Sequence, residues 1–321
     1  MTMDPRKYKI GIVGLGPVGL ILAQHLHSAG CNLAVCDVIQ EKVDIIRAEG
    51  IILTGVIEKN AQLNEVYDSL GELLQSNINI LICAAKAYHV DKILDQIEAY
   101  HNENLLILSA QNGIGVALKY RTHFRESRIF RMVVNFAGNM NSLNGVNVTF
   151  FNPPNWIASR DDSRRDVADW ISKLLTSVDL ITESTDSFDI TAKVWHKTIL
   201  NAALSPLCAI SKLTMREAMT IPDTHEIVEK IIIEAIEVAK AEDITFEKNF
   251  VKLCLRYLNN AGDHFPSLAV DLINKRETEI DFMNGKIVEY GRKHYIRTPL
   301  NLTFTNLVRA ITDKNFGRPF K

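Results

Sequence analysis

Residues 9–30 read "KIGIVGLGPVGLILAQHLHSAG", and the fold turns on how this apolar run is parsed. A basic amino terminus followed by a hydrophobic stretch has the outline of a secretory signal. Gly14, Gly16, Pro17 and Gly19 break an apolar signal helix, however, and no cleavage site follows. The run also falls short of the ~20 residues that a membrane span requires. It parses instead as a strand over 9–13, a glycine turn and a helix over 18–29. In the pattern Gly14-x-Gly16-x-x-Gly19 the first glycine permits a tight turn and the second lets backbone approach a pyrophosphate. The third lets the helix pack closely on the strand, and the helix N-terminus supplies oriented N–H donors for the anion. "NLAVCD" follows as the next strand and ends at Asp37, so the β-α-β unit is complete and the glycine pattern does not stand alone.

On this parsing Gly14, Leu15, Gly16, Pro17, Val18 and Gly19 hold a dinucleotide, and Asp37 accepts the ribose 2′- and 3′-hydroxyls. A 2′-phosphate there would set roughly 1.5–2 further negative charges against the carboxylate. Val38-Ile39-Gln40-Glu41 brings no arginine to clamp such a phosphate. Lys42 is the nearby cation and reads as decoration of the next helix. NADH is therefore the preferred cofactor, with NADPH still admissible.

Composition excludes other classes. A chain of 321 residues suggests two domains, and 47% hydrophobic residues suffice for a large core. The net charge of −2 argues for neither nucleic acid nor a membrane surface, and the cluster Arg6-Lys7-Tyr8-Lys9 is too short to track phosphates. Cys31, Cys36, Cys83, Cys208 and Cys254 form an odd set without metal-ligand spacing, which suits reduced core thiols in a cytoplasmic protein. The nine histidines make no HExxH pair, so no metal is expected.

Along the first half, strands are expected at 9–13, 33–36, 78–83, 105–109, 129–136 and 147–151, and helices at 18–29, 41–48, 90–100 and 164–176. Strand and helix in turn give a mostly parallel sheet covered on both faces. Between 129 and 157 the helices stop and asparagine becomes frequent, which suits antiparallel strands joined by turns. From Ser187 onward nearly everything reads as helix: 188–210, 224–241, 246–259, 268–276, 279–295 and 301–312, with a stop at Asn284-Gly285 possible. The expected organisation is a Rossmann-type α/β domain over 1–183 and an all-α domain over 184–321.

Several polar residues fall where chemistry would need them. "VWHKTILNAALSP", 194–206, puts Lys197 and Asn201 on one helical face inside an otherwise apolar run. Pro206 removes a helical hydrogen bond and should kink that helix, while Trp195 and His196 point away and read as packing. "ICAAKAYHV" sets Lys86 at the carboxyl end of a strand and "SAQNGIG" sets Asn112 after the next, where ligands of open α/β sheets sit. "HFPSLAVDLINKRETEIDFMNG" holds Ser267, Asp271 and Glu279.

Over nearly its whole length the chain resembles the ketopantoate reductases (2-dehydropantoate 2-reductases). The likeness rests on the Gly14–Gly19 loop, "KAYHV", "QNGIG", "WHKTILNAALSPLCAI", the segment 267–285 and "TPLN" at 298–301. It implies a helical second domain like that of 6-phosphogluconate dehydrogenase. It also implies hydride transfer from a nicotinamide to a small 2-keto acid, the ketopantoate reduction of pantothenate biosynthesis, by a monomer or homodimer. By this likeness Lys197 is the general acid, Asn201, Ser267 and Glu279 bind substrate, and Asn112 and Lys86 line the junction of cofactor and substrate. The chemistry agrees, because hydride addition to a ketone leaves charge on oxygen that a positioned ammonium can stabilise and protonate. Burial lowers the pKa of such a lysine and nearby carboxylates raise it.

The chain departs from the family in three places. Asp37 stands in a family mostly associated with NADPH, the stretch 132–156 is rich in asparagine and poor in glycine, and "SLAVD" carries small apolar residues. Three rivals stay open. One is an NAD-dependent D-2-hydroxyacid dehydrogenase for branched or aromatic 2-keto acids on the same scaffold. Another is a β-hydroxyacid dehydrogenase, against which "TEIDFMNG" speaks. The third is a non-catalytic NADH sensor, which has no need of Lys197.

Overall fold

The computed structural model describes residues 4–100 and 102–319. Its strands are β1 (Lys9–Val13), β2 (Asn32–Cys36), β3 (Ile51–Gly55), β4 (Lys59–Ala61), β5 (Glu65–Tyr67), β6 (Ile80–Cys83), β7 (Leu106–Ser109), β8 (Ile129–Val133), β9 (Phe136–Met140), β10 (Gly145–Phe151), β11 (Asn155–Ser159) and β12 (Thr182–Ser184). The helices between them are α1 (Pro17–Ser28), α2 (Gln40–Glu49), α3 (Leu70–Gln75), α4 (Val90–Glu98), α5 (Val116–Lys119) and α6 (Arg165–Thr176).

Eight strands form one sheet in the order β12-β11-β8-β7-β6-β1-β2-β5. All neighbours are parallel except β8 and β11. β6, β7 and β8 are buried along their whole length, as strands covered on both faces must be. From β1 the chain steps to β2 on one side and later returns to β6 on the other. The carboxyl ends of β1 and β6 are thus the switch point where such sheets take ligands.

A second sheet, β4-β3-β10-β9, was not foreseen. Its strand β3 alternates buried and exposed residues for only a few positions, and its parallel partner β10 lies more than ninety residues away. The asparagines of this region are structural. The Asn144 amide donates to the Gly50 carbonyl at 2.9 Å, and Asn155 accepts from the Asn135 N–H at 2.7 Å while donating to Ile181 O. The antiparallel pairing expected over 129–157 occurs in β9–β10 and β8–β11, whereas β8 itself lies parallel to β7. Residues 182–184, where a domain boundary was expected, form the edge strand β12.

The chain divides into two compact units, the first running to Gln111 with Val116–Ile190, the second comprising Asn112–Gly115 and the chain from Thr191. The change falls inside α7 (Ser187–Ser211), not in a linker. The second unit continues with α8 (Met215–Thr220), α9 (Pro222–Ala241), α10 (Phe250–Asn259), α11 (Ser267–Ile273), α12 (Asn284–Lys293) and α13 (Pro299–Asn315). Among the described residues no helix is long and apolar enough to cross a membrane.

Pro206 lies within the continuous helix α7 and has no N–H for the Ala202 carbonyl four residues earlier. The Asn284 side-chain amide takes that carbonyl at 3.0 Å and also donates to Asn301 Oδ1 at 3.1 Å. Asn301 Nδ2 in turn donates to Glu234 at 2.8 Å, and the same carboxylate accepts the backbone N–H groups of Leu300 and Asn301, donors in the first turn of α13 that have no intrahelical partner. The helix expected over 279–295 is accordingly two elements, a 3₁₀ turn (Ile280–Phe282) and then α12, separated at Met283.

Asn284→Ala should lower the unfolding free energy by about 2–3 kcal/mol, because it strands buried acceptors. In a Pro206→Ala background, where residue 206 again donates to Ala202, the same change should cost about 1 kcal/mol less. Equal losses in the two backgrounds under urea would show that Pro206 does not create the need for Asn284.

Candidate active site

β1 ends at Val13, and Gly14 turns the chain with φ +91°, a conformation that needs glycine. A Cβ on Gly14 would overlap the backbone of Ala85, and one on Gly19 would overlap the Gly14 carbonyl oxygen. Gly16 differs, because nothing lies within 4 Å of where its Cβ would be. It caps α1 with extended backbone, and Pro17 follows at the first helical position. The loop therefore packs tightly at its first and third glycines and is open at its second. The open glycine at a helix N-terminus fits a pyrophosphate group. Leu15 is fully buried; Val18 is half-buried.

Asp37 is buried at the end of β2. Its Oδ2 accepts the Leu15 N–H at 2.8 Å and faces the Lys42 ammonium at 3.4 Å, while Oδ1 accepts the Ile39 N–H at 3.1 Å. Lys42 does not decorate a surface: it is buried, and its Nζ also donates to the Leu15 carbonyl at 3.1 Å. Beyond the carboxylate Val38 and Ile39 stand exposed.

Ala84 and Ala85 continue β6 by donating to Val13 O, which seats the second strand end beside the glycine loop. The Ala85 carbonyl accepts Gln111 Nε2 at 2.9 Å, and Gln111 Oε1 accepts the Tyr120 hydroxyl at 2.9 Å. Ser109 and Arg131 extend this buried network. Sequence reasoning singled out Asn112 and passed over its neighbour Gln111, whose buried amide only a fold could reveal. Lys86 is half-buried and leads into a 3₁₀ turn (Ala87–His89).

In the second unit Lys197 and Asn201 are half-buried, one turn apart on α7. The Trp195 ring lies 5.5 Å from Tyr290 at a tilt of 59°, and the His196 ring lies 4.6 Å from Phe250 and 5.1 Å from Phe246. Glu279 is buried just before the 3₁₀ turn. The segment 112–115 rests on that turn, because Ile114 N–H donates to the Phe282 carbonyl at 2.8 Å and Gly113 leaves no room for a side chain against Phe282. Asn284, two residues on, reaches Ala202 beside Asn201. One backbone bond and the Asn284 side chain thus bring together the segments of Asn112, Glu279 and Asn201. Ser267 is exposed at the start of a separate helix, α11, and Asp271 is buried on it with Arg276 at 3.5 Å.

Other chemistry is poorly served. Burial pushes the thiols of Cys36, Cys83, Cys208 and Cys254 up to about 12 and Cys31 to about 11, so none is a ready nucleophile. Among the described residues no three His, Cys, Asp or Glu side chains gather as a metal site.

Residues 10–160 match the family model Ketopantoate reductase PanE/ApbA, and residues 189–312 match Ketopantoate reductase PanE/ApbA C terminal. The chain is 25% identical over 301 residues to the 2-dehydropantoate 2-reductase of Streptococcus pyogenes serotype M6, spanning 93% of this chain and 96% of that one. Among solved structures it is similar to D-mandelate dehydrogenase with NADH and anilino(oxo)acetate, at TM-score 0.85 and 25% identity over 96% of this chain and 99% of the other. A PanE/ApbA family ketopantoate reductase from Ralstonia eutropha JMP134 shares the fold, with TM-score 0.85 and 23% identity over 96% of this chain and 99% of its own.

The glycines make separable predictions. Gly19→Ala should lower the melting midpoint by about 6–12 °C, from overpacking of about 3 kcal/mol. Gly16→Ala should leave the midpoint within about 2 °C and weaken nicotinamide dinucleotide binding about tenfold or more. Equal effects of the two on melting would contradict the difference in packing.

Proposed function

The chain belongs to the ketopantoate reductase family and is an oxidoreductase acting on CH–OH groups with a nicotinamide dinucleotide; on that premise we propose that it reduces 2-dehydropantoate to D-pantoate, with NADH preferred over NADPH. The observation that carries this reading is the full-length similarity to 2-dehydropantoate 2-reductases, with family matches in both units. When bound, the reduced nicotinamide supplies a hydride to the keto carbon. The loop Gly14, Leu15, Gly16, Pro17, Val18 and Gly19 holds the pyrophosphate at the N-terminus of α1, Asp37 holds the ribose, and Lys86 and Asn112 each contact the dinucleotide. Lys197 donates its proton to the carbonyl oxygen as charge develops there. Asn201 and Ser267 hydrogen-bond the substrate's oxygens, and Glu279 accepts from its 4-hydroxyl.

A second reading has its own support. The similarity to D-mandelate dehydrogenase, together with a carboxylate at Asp37, favours an NADH-dependent D-2-hydroxyacid dehydrogenase acting on aromatic or branched 2-keto acids. Absorbance assays of ketopantoate, 2-ketoisovalerate and benzoylformate with each reduced cofactor separate the two. Ketopantoate with NADH should give the highest kcat/KM. A benzoylformate rate more than about tenfold above it would overturn the ketopantoate reading in favour of the second.

Lys197→Ala should reduce kcat by about 10²–10⁴ while leaving NADH affinity intact. An unchanged rate would refute proton donation by Lys197. Glu279→Ala should lower kcat/KM for ketopantoate by about 10²-fold or more, and affect 2-ketoisovalerate, which lacks the 4-hydroxyl, far less.

A further inference from the structure

Lysine side chains are seldom buried unless they are paired. Lys42, the third residue of α2, shows only 9% of its side-chain surface, as does Asp37, whose carboxylate it faces at 3.4 Å. Its other contact, the Leu15 carbonyl at 3.1 Å, belongs to the glycine loop itself. An ionised carboxylate offers about four acceptor positions. Leu15 N–H, Ile39 N–H and the Lys42 ammonium occupy three of them, two on Oδ2 and one on Oδ1. Asp37 thus keeps one open position, on Oδ1, which serves one ribose hydroxyl rather than the two expected from sequence, and carries a counter-charge on Oδ2.

We propose that Lys42 determines cofactor specificity together with Asp37: the ammonium offsets the carboxylate's charge, so that the 2′-phosphate of NADPH is disfavoured but not excluded. The inference rests on the reading of the Gly14–Gly19 loop as a nicotinamide dinucleotide site. A 2′-phosphate carries about 1.5–2 negative charges at neutral pH. Facing a bare buried carboxylate it would be repelled strongly, because charges at such sites are poorly screened. With a cation bonded to the same carboxylate, the field at the ribose is that of a close ion pair and falls off faster with distance. Asp37 alone predicts a steep preference for NADH; the pair predicts a shallower one. The two charges also act in opposite directions, so loss of either one moves the preference in a known sense.

Calorimetric titration of the full-length protein with ADP-ribose and 2′-phospho-ADP-ribose, and with NADH and NADPH, reads this without turnover. The quantity of interest is the ratio of the Kd for the phosphorylated ligand to that for the plain one. Lys42→Gln keeps a donor but removes the charge, and should raise that ratio about tenfold. Asp37→Asn leaves the ammonium alone, and should lower it about tenfold or more. The double variant Asp37→Asn/Lys42→Gln should lie between the two single ones. A ratio in Lys42→Gln within about twofold of the wild type would overturn the proposal. Should Lys42→Gln fail to fold, Asp37→Asn and the double variant decide the matter: equal ratios in those two would overturn the role of Lys42, and a ratio about tenfold higher in the double variant would support it. If the wild type bound none of the four ligands, the dinucleotide reading of the loop would fall, and this inference with it. If it bound them with a ratio indifferent to Lys42, this inference alone would fall.

Discussion

The Ala202 carbonyl is the constraint around which the helical unit is arranged. Pro206 cannot donate to it, and a buried carbonyl without a donor costs free energy that water cannot offset. Asn284 supplies the donor, which fixes the start of α12 against α7. Fixing α12 there sets the break at Met283 and the 3₁₀ turn before it, and that turn carries Phe282, on which Ile114 and Gly113 rest. Asn301, itself held by Glu234, accepts from the same Asn284 amide nitrogen. A single absent N–H in α7 thus determines where the Glu279 turn and the Asn112 segment lie relative to Asn201.

The α/β unit uses the same device at its own ends of elements. Gln111 donates to the Ala85 carbonyl where β6 runs out, Asn144 to Gly50 before β3, and Asn155 to Ile181 before β12. At Ala85 and Gly50 a side-chain amide supplies the donor that a strand or helix partner would give elsewhere, and at Ile181 it adds to the Asn155 backbone N–H. Such amides reach their carbonyl partners only in one arrangement, so they fix backbone positions that apolar packing alone would leave adjustable. Gly14 shows the opposite means to the same end: it lets the Ala85 backbone approach so closely that no side chain fits between them.

The sites differ in how far they could be read beforehand. The Gly14–Gly19 loop, Asp37, Lys197 and Asn201 declare themselves because their signals are local: a glycine spacing after a strand, a carboxylate at the next strand end, and two polar residues one helical turn apart in an apolar run. The burial of Lys42 has no local signal in the sequence. A lysine early in a helix looks solvated until the loop that covers it is known, twenty-seven residues earlier in the chain. Gln111 escaped notice for the same reason, since its partners Ala85 and Tyr120 lie on different elements. The short strands β3, β4 and β5 went unseen because three to five residues carry too little period, and their pairing is made by segments far along the chain.

By itself the sequence determined the parallel sheet, its glycine turn and the helical second half, because these follow from periodicity and from backbone freedom within a few residues. Only the tertiary structure decided the second sheet, the partner that the Asn284 amide finds at Ala202, and the burial of Lys42 against Asp37. Each of these depends on which distant group supplies a hydrogen bond or a counter-charge, and that is a property of where the chain returns in space.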